Sequence, residues 1–188
     1  MFKNNIFNGI AIFIVIGYGI MMYFSMQTGY SEAMLFGTTK ELTIDSHQYY
    51  RIFTSTIAHG GLPHLFMNMV ALSSLGSTVI YFTNEKFSLF TFIAAALICG
   101  VVTSFQTDAL TVGASGAIYG LFGILIYFAI KQHRMGYSGM LKQLGPIILI
   151  NVFISFMPDI SFVGHATGLI VGLVCSYIYD KKHSRSFY

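Results

Sequence analysis

Six long apolar runs, separated by polar connections, form the main pattern of this chain. None of them contains Lys, Arg, Asp or Glu, and such a charge at the centre of a bilayer would cost about 2.5–3.5 kcal/mol on insertion scales. The pattern predicts an all-α, polytopic membrane protein, a bundle of six transmembrane helices at approximately 6–26, 64–82, 87–106, 114–130, 144–157 and 162–179. The fifth run is short, so its helix either extends back toward Gly139 or does not cross the full bilayer.

Basic residues in the connections predict the orientation of these helices. If the six segments alternate, eight basic residues fall on one side and two on the other. The larger group consists of Lys3, Lys86, Lys131, Arg134, Lys142, Lys181, Lys182 and Arg185, and the smaller one of Lys40 and Arg51. Because basic loops stay in the cytoplasm, we expect both termini to be cytoplasmic. Five of the seven acids then lie outside, namely Glu32, Glu41, Asp45, Asp108 and Asp159.

The composition agrees with a membrane protein, since 55% of the residues are hydrophobic and 9% are charged, against about 25% charged in soluble domains. Six spans with short loops use up the 188 residues, so we expect a single domain over residues 1–188. The net charge of +3 follows from topology and requires no nucleic-acid partner. Cys99 and Cys175 lie in apolar runs and suggest packing, not a disulfide. The first run favours a retained helix over a cleaved signal peptide.

The connection over residues 27–63 is much longer than the others and carries apolar and aromatic residues. Long connections in compact proteins are usually functional or disordered. We expect this one to lie in the membrane interface, where Tyr49 and Tyr50 would suit the aromatic belt.

Unusual polar residues converge at the starts of three of the predicted helices. With the amino terminus inside, the second, fourth and sixth helices all begin on the outer side, and these beginnings hold His59, His64, Asn68, Ser115 and His165. Polar groups within a membrane usually face the bundle interior or a water-filled cavity and suggest a functional site. The sequence therefore predicts a polar cavity that opens outward and is lined by these five side chains.

Ser115 and His165 are the candidate catalytic pair. Ser115 lies in Gly113-Ala114-Ser115-Gly116 at a predicted helix start, where free backbone amides favour developing negative charge. A serine hydroxyl needs a base, most often a histidine. No carboxylate lies in any predicted span, so we expect a Ser–His dyad without an acidic third member, with Tyr119, one turn after Ser115, stacked on the imidazole.

His64 and Asn68, at i and i+4, share one helical face. They would donate hydrogen bonds to the oxyanion of a tetrahedral intermediate, together with the Ser115 amide. Losing one such donor typically costs about 10²–10³ in rate.

Each polar residue also has a simpler interpretation. A lone membrane serine usually bonds to its own helix, and Asn151 would form a helix–helix hydrogen bond. His59 and His64 are five residues apart without an HExxH motif, which disfavours a zinc protease. Glycines spaced by four residues let helices pack closely, namely Gly116, Gly120, Gly164, Gly168 and Gly172.

Three motifs together resemble those of the rhomboid family of intramembrane serine proteases. They are His59-Gly-Gly-Leu-Pro-His64-Leu-Phe-Met-Asn68, Gly113-Ala-Ser115-Gly116-Ala-Ile-Tyr119 and Gly164-His165-Ala-Thr-Gly168-Leu-Ile-Val-Gly172. Upstream, Gln48-Tyr49-Tyr50-Arg51 resembles the aromatic-plus-arginine element of the family's first loop, although this chain has no Trp. The match covers about residues 48–172 and is that of a minimal six-helix bacterial member.

The resemblance implies Ser115 as the nucleophile, His165 as the base, and His64 and Asn68 as oxyanion donors. It also implies single-span membrane proteins as substrates, a mobile cap over Met157 to Val163, and the fifth helix as a lateral gate. We expect no cofactor and no metal. The site would open to the extracytoplasmic side of a bacterial plasma membrane.

Two other functions compete with this interpretation. A catalytically silent rhomboid-like protein would bind membrane clients without cutting them, but known silent relatives typically lack the serine or the histidine. A channel or transporter would carry polar residues through the whole membrane depth, whereas here they cluster on the predicted outer side.

Overall fold

A computed structural model of the chain describes residues 5–106, 110–155 and 160–184. Within these ranges the fold is helical, and the extended pairing is limited to one bridge between Thr38 and Thr111. The helices are α1 (Ile6–Thr28), α2 (Glu32–Phe36), α3 (Arg51–Thr54), α4 (Leu62–Phe82), α5 (Glu85–Thr103), α6 (Ser115–Arg134), α7 (Gly139–Ile154) and α8 (Phe162–Ser184). A π-helical turn, Lys40–Asp45, lies between α2 and α3. The predicted all-α class is confirmed.

Five of these helices, α1, α4, α5, α6 and α8, are long and apolar enough to cross a membrane. The fifth predicted span, α7, does begin as far back as Gly139 and has 16 residues. At 1.5 Å per residue it rises only about 24 Å, less than the roughly 30 Å of a hydrocarbon core. A sixth complete span therefore stays a prediction.

Several helix boundaries differ from those predicted. α4 begins at Leu62 instead of 64, and α5 covers Glu85–Thr103 instead of 87–106. α6 and α8 continue to Arg134 and Ser184, beyond the predicted 130 and 179. Basic residues fill the last turns of both helices, where they complement the helix dipole. A prediction from hydropathy alone ends each segment at its first charged residue, whereas the helical backbone continues beyond that residue.

Side-chain caps explain where α1 and α5 begin. The Asn5 side chain accepts a hydrogen bond from the Phe7 amide at 2.9 Å, and Asn84 accepts one from the Phe87 amide at the same distance. Each cap satisfies a backbone donor that has no partner within its own helix. Gly29 ends α1 with φ of 74°, a left-handed conformation that glycine adopts without steric cost.

α6 lies at the centre of the bundle and contacts α4, α5, α7 and α8. Its tightest neighbour is α8, because a Cβ added to Gly168 would collide with the carbonyl oxygen of Gly116. A Cβ on Gly172 would likewise collide with the carbonyl oxygen of Gly120. The close helix approach predicted from the glycine spacing is confirmed for this pair of helices.

The two ends of the bundle are chemically different. At one end the Ile6 amide donates to Glu85, Asn84 donates to the Tyr179 hydroxyl, and Lys131 pairs with Asp180. These contacts gather the start of α1, the α4–α5 turn and the ends of α6 and α8. The starts of α4, α6 and α8, which carry the candidate site residues, therefore lie together at the opposite end.

The connection between α1 and α4 is organised around Arg51, which is 4% exposed. Its guanidinium donates to the carbonyl oxygens of Met34 at 2.9 Å and Gly37 at 2.8 Å, and to the Gln48 side chain at 2.7 Å. A planar guanidinium can satisfy several acceptors at once. Arg51 thereby ties the short helices of this connection into one unit.

This connection also holds the segment that leads into α6. Thr38 and Thr111 exchange backbone hydrogen bonds, both at 3.0 Å, and the Gly113 amide donates to the carbonyl oxygen of Ser55 at 2.8 Å. The backbone immediately before Ser115 is thus fixed from outside its own helix.

Candidate active site

Ser115 is the first residue of α6 and is half-buried. Its hydroxyl makes no hydrogen bond within the described part of the chain, so it remains available to a ligand. The first amides of a helix have no carbonyl partner one turn earlier. Ser115 also borders a cavity that is lined in addition by Ser55, Thr103, Gly113 and Ser161. Of the five side chains predicted to line one polar cavity, Ser115 lines this one, whereas the three histidines and Asn68 do not.

Gly113 lets two polar side chains approach the backbone just before Ser115. Its φ is 116°, in the region that favours glycine. A Cβ at this position would lie 2.8 Å from Cε1 and 3.0 Å from Nε2 of His64, and 3.5 Å from Nδ2 of Asn68. The glycine therefore lets the His64 ring lie against the backbone before Ser115, with Nδ2 of Asn68 close by.

His64 and Asn68 each have an N–H group available as a donor beside Gly113. Nδ1 of His64 accepts a hydrogen bond from the Gly60 amide at 3.4 Å, which leaves Nε2 as the protonated nitrogen of a neutral ring. Nδ2 of Asn68 is buried and lacks a hydrogen-bond partner among the described residues. A buried donor without a partner costs free energy, and an acceptor supplied by a ligand would remove that cost.

His59 lies behind His64 and is 1% exposed. Its Nδ1 donates to the carbonyl oxygen of Ile57 at 2.8 Å, and its Nε2 faces the Ala114 amide at 3.5 Å. Its ring meets those of Tyr18 and His64 edge-on, with centroids 6.0 and 5.1 Å away. Burial lowers the pKa of His59 to about 4, so it is neutral near pH 7. It supports the start of α6 and the ring of His64.

His165 belongs to α8, lies between α6 and α7, and is 7% exposed. Its ring stacks on Tyr119, with centroids 4.0 Å apart and an interplanar angle of 12°. The predicted stack is confirmed. Its Nδ1 lies 2.9 Å from the hydroxyl oxygen of Ser155 at the end of α7, which leaves Nε2 for other chemistry.

Ser115 and His165 are brought close together by the packing of α6 on α8. Tyr119, one turn after Ser115, contacts the imidazole, and a Cβ on Gly116 would lie 3.4 Å from the carbonyl oxygen of Gly164. The two side chains form no direct hydrogen bond here. Catalytic hydrogen bonds are often long in unliganded sites and shorten in the substrate complex.

The residues predicted for the site do not include Ser155. For Asn151 the sequence predicts a helix–helix hydrogen bond. The Tyr119 hydroxyl of α6 does donate to the Asn151 carbonyl oxygen at 3.0 Å and lies 3.4 Å from its side-chain oxygen. Ser155 is four residues after Asn151, so both lie on one face of α7. A polar pair at this spacing in an apolar run was a usable signal.

The proposed cap falls partly outside the described residues. Positions 157–159 are not described, and α8 already begins at Phe162. Among the described residues, no group of three or more His, Cys, Asp or Glu side chains could hold a metal ion.

Comparison with known proteins shows which family this chain resembles. The model of the Rhomboid domain matches residues 46–182. The chain is 28% identical over 166 residues to the rhomboid protease GluP of Bacillus subtilis, which covers 85% of this chain and 33% of that protein. It is 28% identical over 158 residues to Rhomboid-like protease 1 of Toxoplasma gondii, covering 78% of this chain and 53% of that protein. RHOMBOID-like protein 5 of Arabidopsis thaliana is 24% identical over 178 residues, covering 80% of this chain and 56% of that protein.

The apolar helices and these matches define a multi-pass integral membrane protein. The chain belongs to the rhomboid family. It spans between a third and a little over half of the length of these three relatives.

Proposed function

We propose that this protein is an intramembrane serine endopeptidase that cuts transmembrane segments of other membrane proteins. The observation that carries the proposal is that Nε2 of His64 and the buried Nδ2 of Asn68, which lacks a partner among the described residues, both lie beside the backbone immediately before Ser115. Donors aimed at the position where negative charge develops are the main requirement for acyl transfer. The family membership supports the same chemistry.

In this proposal Ser115 Oγ attacks the carbonyl carbon of the scissile peptide while Nε2 of His165 takes the hydroxyl proton. The negative charge that forms on the carbonyl oxygen is stabilised by His64, Asn68 and the Ser115 amide. His165 then gives its proton to the leaving amine, and the bond between carbon and nitrogen breaks. Water hydrolyses the acyl-enzyme by the same sequence of proton transfers, which restores Ser115.

The proposed orientation puts the active site on the extracytoplasmic side of the membrane. The opposite end of the bundle carries Lys86, Lys131, Arg134, Lys142, Lys181 and Lys182, and an excess of basic residues is typical of the cytoplasmic side. Both termini would then be cytoplasmic, with six spans in one domain over residues 1–188, in a bacterial plasma membrane. Two of the basic residues from which the orientation is predicted, Lys3 and Arg185, lie outside the described ranges.

The substrate must change its conformation to be cut. The peptide groups of a transmembrane helix are satisfied within the helix, so its carbonyl can reach Ser115 only after local unwinding. The proposed partners are therefore transmembrane protein substrates and the lipid bilayer. The proposed reaction uses no cofactor, no metal and no nucleic acid.

The direct test is labelling of the detergent-purified protein with a fluorophosphonate, together with cleavage of a model transmembrane substrate. We expect the wild type to label and to cleave, and Ser115→Ala and His165→Ala to lose both by at least 10³-fold, since the residues of a catalytic unit are about equally necessary. The matched control is Ser176→Ala, which removes a buried serine hydroxyl elsewhere on α8. It should label and cleave like the wild type.

A folded wild-type protein that neither labels nor cleaves would contradict the proposal. It would then favour a silent relative that binds membrane clients, and cross-linking to the same model substrate would detect that binding.

A further inference from the structure

Four polar groups from three helices meet at the edge of His165. They are the Tyr119 hydroxyl of α6, the Asn151 carbonyl oxygen and the Ser155 hydroxyl of α7, and Nδ1 of His165. The Ser155 oxygen lies 2.8 Å from the Asn151 carbonyl oxygen, 3.0 Å from the Tyr119 oxygen and 2.9 Å from Nδ1. Ser155 is 5% exposed, so these contacts are its partners instead of bulk water.

The number of protons available restricts these hydrogen bonds, in which the contacts of Ser155 with Tyr119 and with His165 can each run in either direction. A carbonyl oxygen only accepts, and a hydroxyl has one proton and two acceptor sites. When the Ser155 proton goes to the Asn151 carbonyl oxygen, the Ser155 oxygen can accept from two donors. Tyr119 and Nδ1 of His165 are the two groups within reach that can supply those protons.

This arrangement has a consequence for the base. An imidazole that donates from Nδ1 while neutral carries no proton on Nε2. Nε2 is then free to accept the proton of Ser115, which is the tautomer that a general base requires. In serine proteases with a carboxylate, the carboxylate fixes the tautomer in the same way.

We propose that Ser155 is the positioning residue of the active site: its hydroxyl accepts the Nδ1–H of His165 and fixes both the tautomer and the orientation of the base. This inference rests on the proposed function of Ser115 and His165. It makes the end of α7 a part of the active site, because α7 supplies the hydroxyl group that lies beside Nδ1 of the base.

A purely structural explanation exists and can be tested. Serines near helix ends often bond to the carbonyl four residues earlier, and Ser155 does so with Asn151. Ser104 is the matched control, because it also directly follows its helix, is 0% exposed and bonds to the carbonyl oxygen four residues earlier, that of Gly100, at 2.6 Å. Ser104 contributes no contact to His165.

The experiment compares Ser155→Ala, Ser155→Thr and Ser104→Ala in single-turnover cleavage of a model transmembrane substrate. We expect Ser155→Ala to lower the cleavage rate about tenfold, the effect of one hydrogen bond, with KM from a separate steady-state experiment unchanged within about twofold. Ser155→Thr, which keeps the hydroxyl, should recover most of the rate, and Ser104→Ala should cleave like the wild type. Equal rates for Ser155→Ala and Ser104→Ala would overturn the inference.

A second readout does not depend on activity. With ¹⁵N-labelled histidine rings in a Ser115→Ala background, the His165 spectrum should be that of a ring protonated on Nδ1, with an unprotonated Nε2. Adding Ser155→Ala should move the ring nitrogens toward a mixture of both tautomers, whereas adding Ser104→Ala should leave them unchanged. An unchanged spectrum in Ser155→Ala would overturn the inference even if the protease is active. A wild type without activity would contradict the proposed function, while this spectrum would still test the hydrogen bond.

Discussion

Gly113 shows how one residue can decide how closely side chains approach the backbone of a site. Its positive φ and the absence of a Cβ together let His64 and Asn68 lie beside the backbone before Ser115. Replacing a glycine at positive φ strains the backbone by about 1–3 kcal/mol. Here the new methyl group would also collide with the ring of His64.

We therefore predict that Gly113→Ala lowers the cleavage rate by about 10² or more, because the collision would displace His64, one of the proposed donors to the oxyanion. Gly60→Ala is the control, since a Cβ there would lie 3.7 Å from Nδ1 of His64, an ordinary contact, and the amide that bonds to His64 would be kept. Cleavage by Gly113→Ala at the wild-type rate would mean that the oxyanion binds elsewhere.

At the scale of helices, the contact between α6 and α8 determines the relation of the serine to the histidine. The two residues lie on different helices, so the distance between them is fixed only if the two helices pack closely and rigidly. The glycines at the crossing allow the backbones to touch. Packed interiors do not absorb even one additional carbon without shifting their neighbours.

We predict that Gly168→Ala destabilises the protein by about 1–3 kcal/mol and slows cleavage, because its Cβ would collide with the Gly116 carbonyl oxygen one residue after Ser115. Thermal unfolding in detergent and the cleavage rate measure the two effects. Gly9→Ala in α1 is the control, since a Cβ there meets nothing within 4 Å and alanine favours a helix by about 1 kcal/mol over glycine. A Gly168→Ala variant as stable and active as Gly9→Ala would show that the close crossing is not required.

For the whole molecule, the distribution of charge predicts the orientation in the membrane. The end opposite the site carries most of the basic residues, including the pair formed by Lys131 with Asp180. The site end carries Arg51, which is satisfied by the carbonyl oxygens of its own loop. An orientation with the basic end inside agrees with the general asymmetry of membrane proteins.

The predicted orientation can be measured with a membrane-impermeant maleimide on whole cells. In a background with Cys99→Ala and Cys175→Ala, we expect Ser46→Cys to be labelled from outside and Tyr137→Cys to be labelled only after the membrane is opened. Both positions are exposed, and they lie in the connections before α4 and after α6, at opposite ends of the bundle. The reverse pattern would place the site on the cytoplasmic side.

The features that could be predicted from the sequence are those that depend on local pattern. Uncharged apolar runs identify the long helices, because the bilayer excludes charge from their centres. The alternation of runs put His64, Ser115 and His165 at one end, and the glycine spacing indicated a close helix pair. These inferences need only the period of the helix and the direction of each segment.

The features that could not be predicted depend on contacts between distant segments. The bridge between Thr38 and Thr111 and the bond from Gly113 to Ser55 join parts of the chain that carry no shared pattern. The extent of α7 was uncertain for a related reason, since hydropathy does not mark where a helix continues through polar residues such as Lys142 and Gln143. Only packing and capping decide such boundaries.

The sequence by itself therefore determined the class of the protein, its main helices and the serine, histidine and asparagine of the candidate site, because these follow from hydrophobicity and residue chemistry. Tertiary structure decided how those groups are aimed. It set the ring of His165 on Tyr119, put the Ser155 hydroxyl beside its Nδ1 and brought His64 against Gly113. Hydrogen bonds and steric contacts act over a few ångströms, so they exist only once separate helices have been fixed against one another.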